Sequence, residues 1–151
     1  MKRLVLVAAA TVSVVLFGVS SAVAAQPAVH FTQDVTGDTL QCGATTYTIV
    51  SGEIAIVIHE GQSASGNTNF TTTITPRSVV LQDQAGNFYS LRGAIWFGAT
   101  SNASTGGVQA TSTDKFQIVS QGGGTVDSVN AVEHVSPNGK EFFFDFGTCQ
   151  G

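Results

Sequence analysis

Charge is scarce in this sequence. Asp, Glu, Lys and Arg together make up 11% of it, against about 25% in an average soluble protein. Basic residues are the scarcest: there are 6 Lys and Arg in 151 residues, and no two lie close together after Lys2-Arg3. Neutralising nucleic-acid phosphates takes grouped Lys and Arg, so nucleic acid is excluded as an expected partner. An anionic membrane surface is excluded for the same reason. Past residue 25 no long apolar run occurs, and the Glu-, Lys-, Arg- and Leu-rich pattern of helices is missing. A helical bundle, a coiled coil and an acidic disordered tail are therefore all poor descriptions. Thr, Ser, Gly, Val and Phe dominate instead, as they do in strands and turns.

The first segment has a different character. Lys2 and Arg3 precede an apolar run from Leu4 to Phe17, and Ala22-Val23-Ala24 supplies a small-x-small cleavage site. These are the three parts of a secretory signal peptide, assigned to residues 1–25. The run is short for a membrane span of roughly 20 residues. Removing it leaves Arg77, Arg92, Lys115 and Lys140 against ten acids, which moves the net charge from -4 to -6. The expected product is a secreted, extracellular single domain, residues 26–151, with no membrane association after cleavage.

Only two cysteines exist, Cys42 and Cys149. In an oxidising compartment they are expected to form a disulfide. The alternatives are two free thiols or a metal site, but no neighbouring histidine gives zinc spacing. The bridge would join the start of the first clear strand to the end of the last.

Alternation of apolar and polar residues marks the strands. Ile54, Ile56 and Ile58 share a face, as do Tyr89, Leu91, Gly93, Ile95 and Phe97. Arg92 and Trp96 share the opposite face of that strand. Gly93 in mid-strand points to a bulge or sharp bend, and Pro76 should interrupt pairing because it lacks an N–H. Ser136-Pro137-Asn138-Gly139-Lys140 reads as a hairpin turn. Phe142, Phe144 and Phe146 alternate with Glu141, Phe143 and Asp145; the Phe142–Phe144 run is expected in the core, with Asp145 either a partnered buried carboxylate or an outward-facing side chain. Seven or eight strands result, with no helix. The expected fold is all-β, an antiparallel up-and-down barrel of about eight strands, with a β-sandwich as the alternative.

Several segments resemble a family of small secreted actinomycete-type β proteins. They include Cys42-Gly43, Thr46-Tyr47-Thr48, His59-Glu60-Gly61, Ser65-Gly66-Asn67-Thr68-Asn69, Gly93-Ala94-Ile95-Trp96-Phe97-Gly98 and Cys149 near the end. The resemblance covers most of the mature chain and brings no catalytic or binding residues with it. More remotely, the strand count looks similar to lipocalins and to allene oxide cyclase and dirigent barrels, although no Gly-x-Trp opens the first strand as it does in lipocalins.

No nucleophile–base set, zinc motif or phosphate loop appears, and no cofactor or metal is expected. His59-Glu60 and Glu133-His134 are adjacent pairs, but neighbours on a strand face opposite ways, so neither pair is expected to act as one site. Arg92 and Trp96, with Tyr89, are the candidate ligand-binding residues, able to stack on or pair with a ligand inside a lumen. The expected function is a disulfide-closed binding module for a small apolar molecule. Two alternatives stand beside it: a small cyclase- or isomerase-like barrel enzyme, and an extracellular interaction protein using its loops at 61–69 and 98–107.

Overall fold

The computed structural model describes residues 26–149. The expected signal peptide, residues 1–25, lies outside the described residues. Eight strands follow one another: β1 (Val29–Asp34), β2 (Thr39–Cys42), β3 (Thr45–Gln62), β4 (Thr68–Gln82), β5 (Phe88–Ser101), β6 (Val108–Ser120), β7 (Thr125–Val135) and β8 (Glu141–Asp145). They form one antiparallel sheet in the order β1-β3-β4-β5-β6-β7-β8, with β2 also paired to β3. β2 and β1 share one edge of β3, facing Thr45–Thr48 and Glu53–Ile58 respectively. The fold is all-β and antiparallel, as the alternation requires.

A crease runs across the sheet. In β3 the register with β4 shifts between Ile49 and Glu53, around Gly52 at φ 125°. Ser78 of β4 has φ 51°, and pairing between β4 and β5 breaks from Ile74 to Val80. Pro76 thus keeps its place opposite Ile54 of β3 while the β5 side of the ladder opens, which is the interruption its missing N–H predicts. Gly93 continues the line in β5 at φ 121°, where an added Cβ would collide with the Lys115 carbonyl of β6. Only glycine combines that backbone angle with so close an approach.

The crease divides the molecule. On one side the sheet curls around a filled core of Val35, Cys42, Tyr47, Val79, Leu81 and Ile118, with Leu40, Ile49, Tyr89 and Leu91 packed against it. Leu81 has no exposed surface, and Tyr47 keeps 3%. Cys42 and Cys149 are bonded there, with Cα atoms 4.2 Å apart. On the other side the strands splay. Of the described residues beyond the crease, only Ala55 and Ile56 are buried.

Two expectations need correction. The barrel does not close: β1 and β8 remain the two ends of the sheet. The reason is directional. β3 and β7 are four steps apart in an antiparallel series, so they run the same way. β1 and β8, each antiparallel to its neighbour, also run the same way, and an all-antiparallel ladder cannot join them directly. The second correction concerns the phenylalanines. Phe142, Phe144 and Phe146 lie on the outer face and are exposed, Phe146 by 72%. Phe143 is exposed on the other face, and Asp145 points to the core side with it.

Candidate functional site

Directly opposed residues in an antiparallel ladder point to the same side. The registers therefore carry one face across the whole sheet. From Leu81, Tyr89 and Ile118 in the core, the same side continues through Ile56, Ile58, Phe70, Ile74, Ile95 and Phe97. It also holds Glu60, Asp114, Glu133, Glu141 and Asp145. The outer face takes His30, His59 and His134, together with Arg77, Arg92 and Lys115. Lys140 lies in the β7–β8 turn. Among the described residues, the core side of the splayed half thus bears carboxylates, apolar groups and hydroxyls such as Thr72 and Ser112, and no base. Alternation makes this segregation possible: each His-carboxylate pair is split across the sheet, as strand geometry predicts.

Asp114 is one of the half-buried acids on this side. It stands opposite Ile95 on β5 and Ala131 on β7. The Ser112 hydroxyl donates to its Oδ1 at 3.1 Å. Burial raises its carboxyl above the usual value, and the Ser112 bond opposes this only in part. Asp145 sits on β8, two strands from Asp114 and opposite the same Ala131, and accepts the Gly147 N–H at 2.9 Å.

Polar groups in the closed half are matched differently. The Tyr47 hydroxyl donates to Asp127 Oδ2 at 2.7 Å across the interior, and burial followed by that carboxylate pushes its phenol well up. Tyr89 stacks edge-on against Tyr47 at 5.3 Å and donates to Asp83 Oδ2 at 2.8 Å. Asp83 also accepts from the Ala85 and Asn87 N–H groups and from Asn87 Nδ2, each at 2.9 Å. The Asn87 side chain, then Tyr89, holds its carboxyl down to about 2. These contacts fix the β4–β5 hairpin.

The three candidate ligand residues do not converge. Tyr89 faces the filled core, whereas Arg92 and Trp96 are on the outer face. Trp96 is 43% exposed. Its ring lies along its own strand over Gly98, where a Cβ would stand 2.7 Å from Trp96 Cζ2. Arg92 borders a shallow cavity of about 430 Å³ with Pro76, Ser78, Leu91 and Gly93, where the β4–β5 ladder has parted. A second cavity, about 240 Å³, lies on the core side beside β1, walled by Pro27, Val29, Ile58 and Phe70, with Gln26 and Glu60 beside them. The loops around 61–69 and 98–107 meet at the splayed end, where Asn67 Oδ1 accepts the Ala103 N–H at 3.1 Å. Ligand atoms of Cys42, Asp127 and Cys149 lie within 4.8 Å of one another, but both sulfurs are bonded to each other and hold no metal.

Sequence reasoning missed Asp114 and the β1 cavity. The centre of β6, Thr111 to Lys115, reads as uniformly polar. The usable signal is parity: Asp114 shares its face with Phe116 and Ile118. No protein-family model, curated protein or solved structure matches the chain.

Proposed function

We propose that this is a secreted, non-catalytic binding protein that takes a small apolar ligand on the core side of its splayed half. One observation carries the reading. The apolar face that fills the closed half continues past the crease and is left open at β1: Val29 is 58% and Phe31 45% exposed, both on the side of Ile56 and Ile58. Apolar surface left open and continuous is where ligands and partners gain burial energy. The cavity of Pro27, Val29, Ile58 and Phe70 is an apolar recess on that face, and its few polar groups would set orientation. Secretion fits the disulfide and the signal-like first segment.

The test uses the neutral dye Nile red, read by fluorescence. Wild-type protein should bind it saturably. Val29→Gln, at an exposed position, should weaken binding by about fivefold or more through lost apolar contact. Phe144→Gln, on the outer face, should not. Equal loss in both variants, or no saturable binding, would overturn the reading.

A second reading, a cyclase- or isomerase-like enzyme, draws on Asp114, whose raised carboxyl keeps its proton further toward neutral pH. All three histidines occupy the opposite face, so Asp114 has no histidine on its side of the sheet. Non-catalytic binding is therefore the favoured reading.

A further inference from the structure

We infer that the gap between β8 and β1 is a docking site for one extended peptide segment, added antiparallel to β8, in which Lys or Arg alternates with apolar residues. This goes beyond the ligand cavity beside β1 and rests on different groups.

The backbone supplies the first part. The Ser136 N–H bonds to the Lys140 carbonyl at 2.9 Å, and the Phe146 N–H to the Asn130 carbonyl at 2.8 Å. Hydrogen-bonded pairs recur at every second residue of an antiparallel ladder. Lys140, Phe142, Phe144 and Phe146 therefore turn their backbone groups toward β7. Glu141, Phe143 and Asp145 turn theirs to the open edge. An edge with unmet donors and acceptors is a template for another strand.

Direction supplies the second part. Because β1 and β8 run the same way, a single strand between them is antiparallel to both. An added segment thus runs antiparallel to both ends of a sheet whose own ends cannot pair antiparallel with each other.

Side chains specify the occupant. On the core side, Glu141 and Asp145 flank Phe143 along the edge strand, Glu133 stands opposite Phe143, and no base among the described residues faces any of them. Basic residues of an incoming strand would meet these carboxylates. On the outer side, Phe142, Phe144 and Phe146 form an exposed aromatic row, with Phe144 and Phe146 stacked at 6.2 Å. The alternate residues of the incoming strand would cover that row. Charge and apolarity thus demand a period of two, which only an extended segment provides. A second copy of this chain is a poor occupant. Antiparallel β8–β8 pairing centred on Phe143 sets Glu141 against Asp145 on both sides, and like charges directly opposed are destabilising.

The test is calorimetric titration with the peptide acetyl-Val-Lys-Val-Lys-Val-Lys-Val-amide. Wild-type protein should bind it with one-to-one stoichiometry. Replacing its lysines by glutamates should abolish binding. N-methylation at the three lysines, which blocks the hydrogen bonds to β8, should weaken it by about tenfold or more. Glu141→Lys should also weaken it by about tenfold and reduce its salt dependence. Phe143→Pro removes an edge donor without touching the β7 ladder and should cost more affinity than Phe143→Ala. Circular dichroism checks that both variants fold, and Nile red binding should survive in both. Equal binding of the methylated and plain peptides would overturn the inference. So would a wild-type dimer that Phe143→Pro dissociates, since the edge would then serve self-pairing.

Discussion

Asp114 and Asp83 show how one residue type takes opposite roles in a chain with few charges. Asp83 sits in a hairpin that offers it N–H donors, an amide and a phenol, so its ionised form is favoured. Its contribution is present above the ordinary carboxylate value and is lost as pH falls toward about 2. Asp114 is half-buried among apolar strands with one hydroxyl for company, so its protonated form is favoured. The sign reverses: the folded state holds this proton more tightly than the unfolded chain does. Stability from this group therefore falls as pH rises from about 3.8 through its raised value. Asp114→Asn keeps a partner for Ser112 and removes the ionisable group. It should raise the melting temperature by a few degrees at pH 7 and change it little at pH 3.5. A melting-temperature difference that is the same at both pH values would mean that ionisation of Asp114 does not matter to folding.

At the scale of the element, the crease decides which parts are core. Gly93 allows β5 to bend against β6, and Gly52 allows β3 to approach β4, where a Cβ would stand 2.5 Å from Val79 Cα. Gly93→Ala should cost roughly 2–6 kcal/mol, the combined size of backbone strain and overpacking. A urea melt within about 0.5 kcal/mol of wild type would show that the bend is not needed. Much of this layer was legible beforehand. Gly93 in mid-strand, Pro76 and the turn at Ser136–Lys140 each carry a local signal that tertiary context does not override. Faces were legible too: Tyr89 opposite Arg92, His59 opposite Glu60. What alternation cannot tell is which face turns inward when both are apolar. Phe142, Phe143 and Phe144 present aromatic surface to both sides of β8, so local pattern gives their period but not their burial. The outward placement follows from parity carried over from Ile118 and Asp127 through β7, a long-range fact absent from the segment itself.

For the whole molecule, the disulfide does what hydrogen bonds between these elements do not. β2 and the segment after β8 lie on opposite sides of the seam and run the same way, each antiparallel to its neighbour. Parallel pairing would be slightly weaker per residue, and here no ladder forms at all. The Cys42–Cys149 bond, closing 107 residues of sequence separation, fastens the seam at one end and leaves β1 and β8 apart at the other. The two halves follow from that: one filled, with Tyr47 reaching Asp127 across it, and one with its apolar face uncovered. Replacing both cysteines by alanine should cost up to about 4.7 kcal/mol on the chain-entropy model, a large share of the roughly 5–15 kcal/mol that holds a domain together. The loss should be spatially ordered. Amide exchange should quicken first where the Cys149 N–H bonds to the Ser128 carbonyl and where β2 meets β3, and last at the β5–β6 ladder far from the seam. Uniform acceleration across the sheet would mean that the bridge restrains only the unfolded chain. The curled half would then be held by the packing of Val35, Tyr47, Val79, Leu81 and Ile118 with their neighbours, and sulfur would add nothing to the native seam.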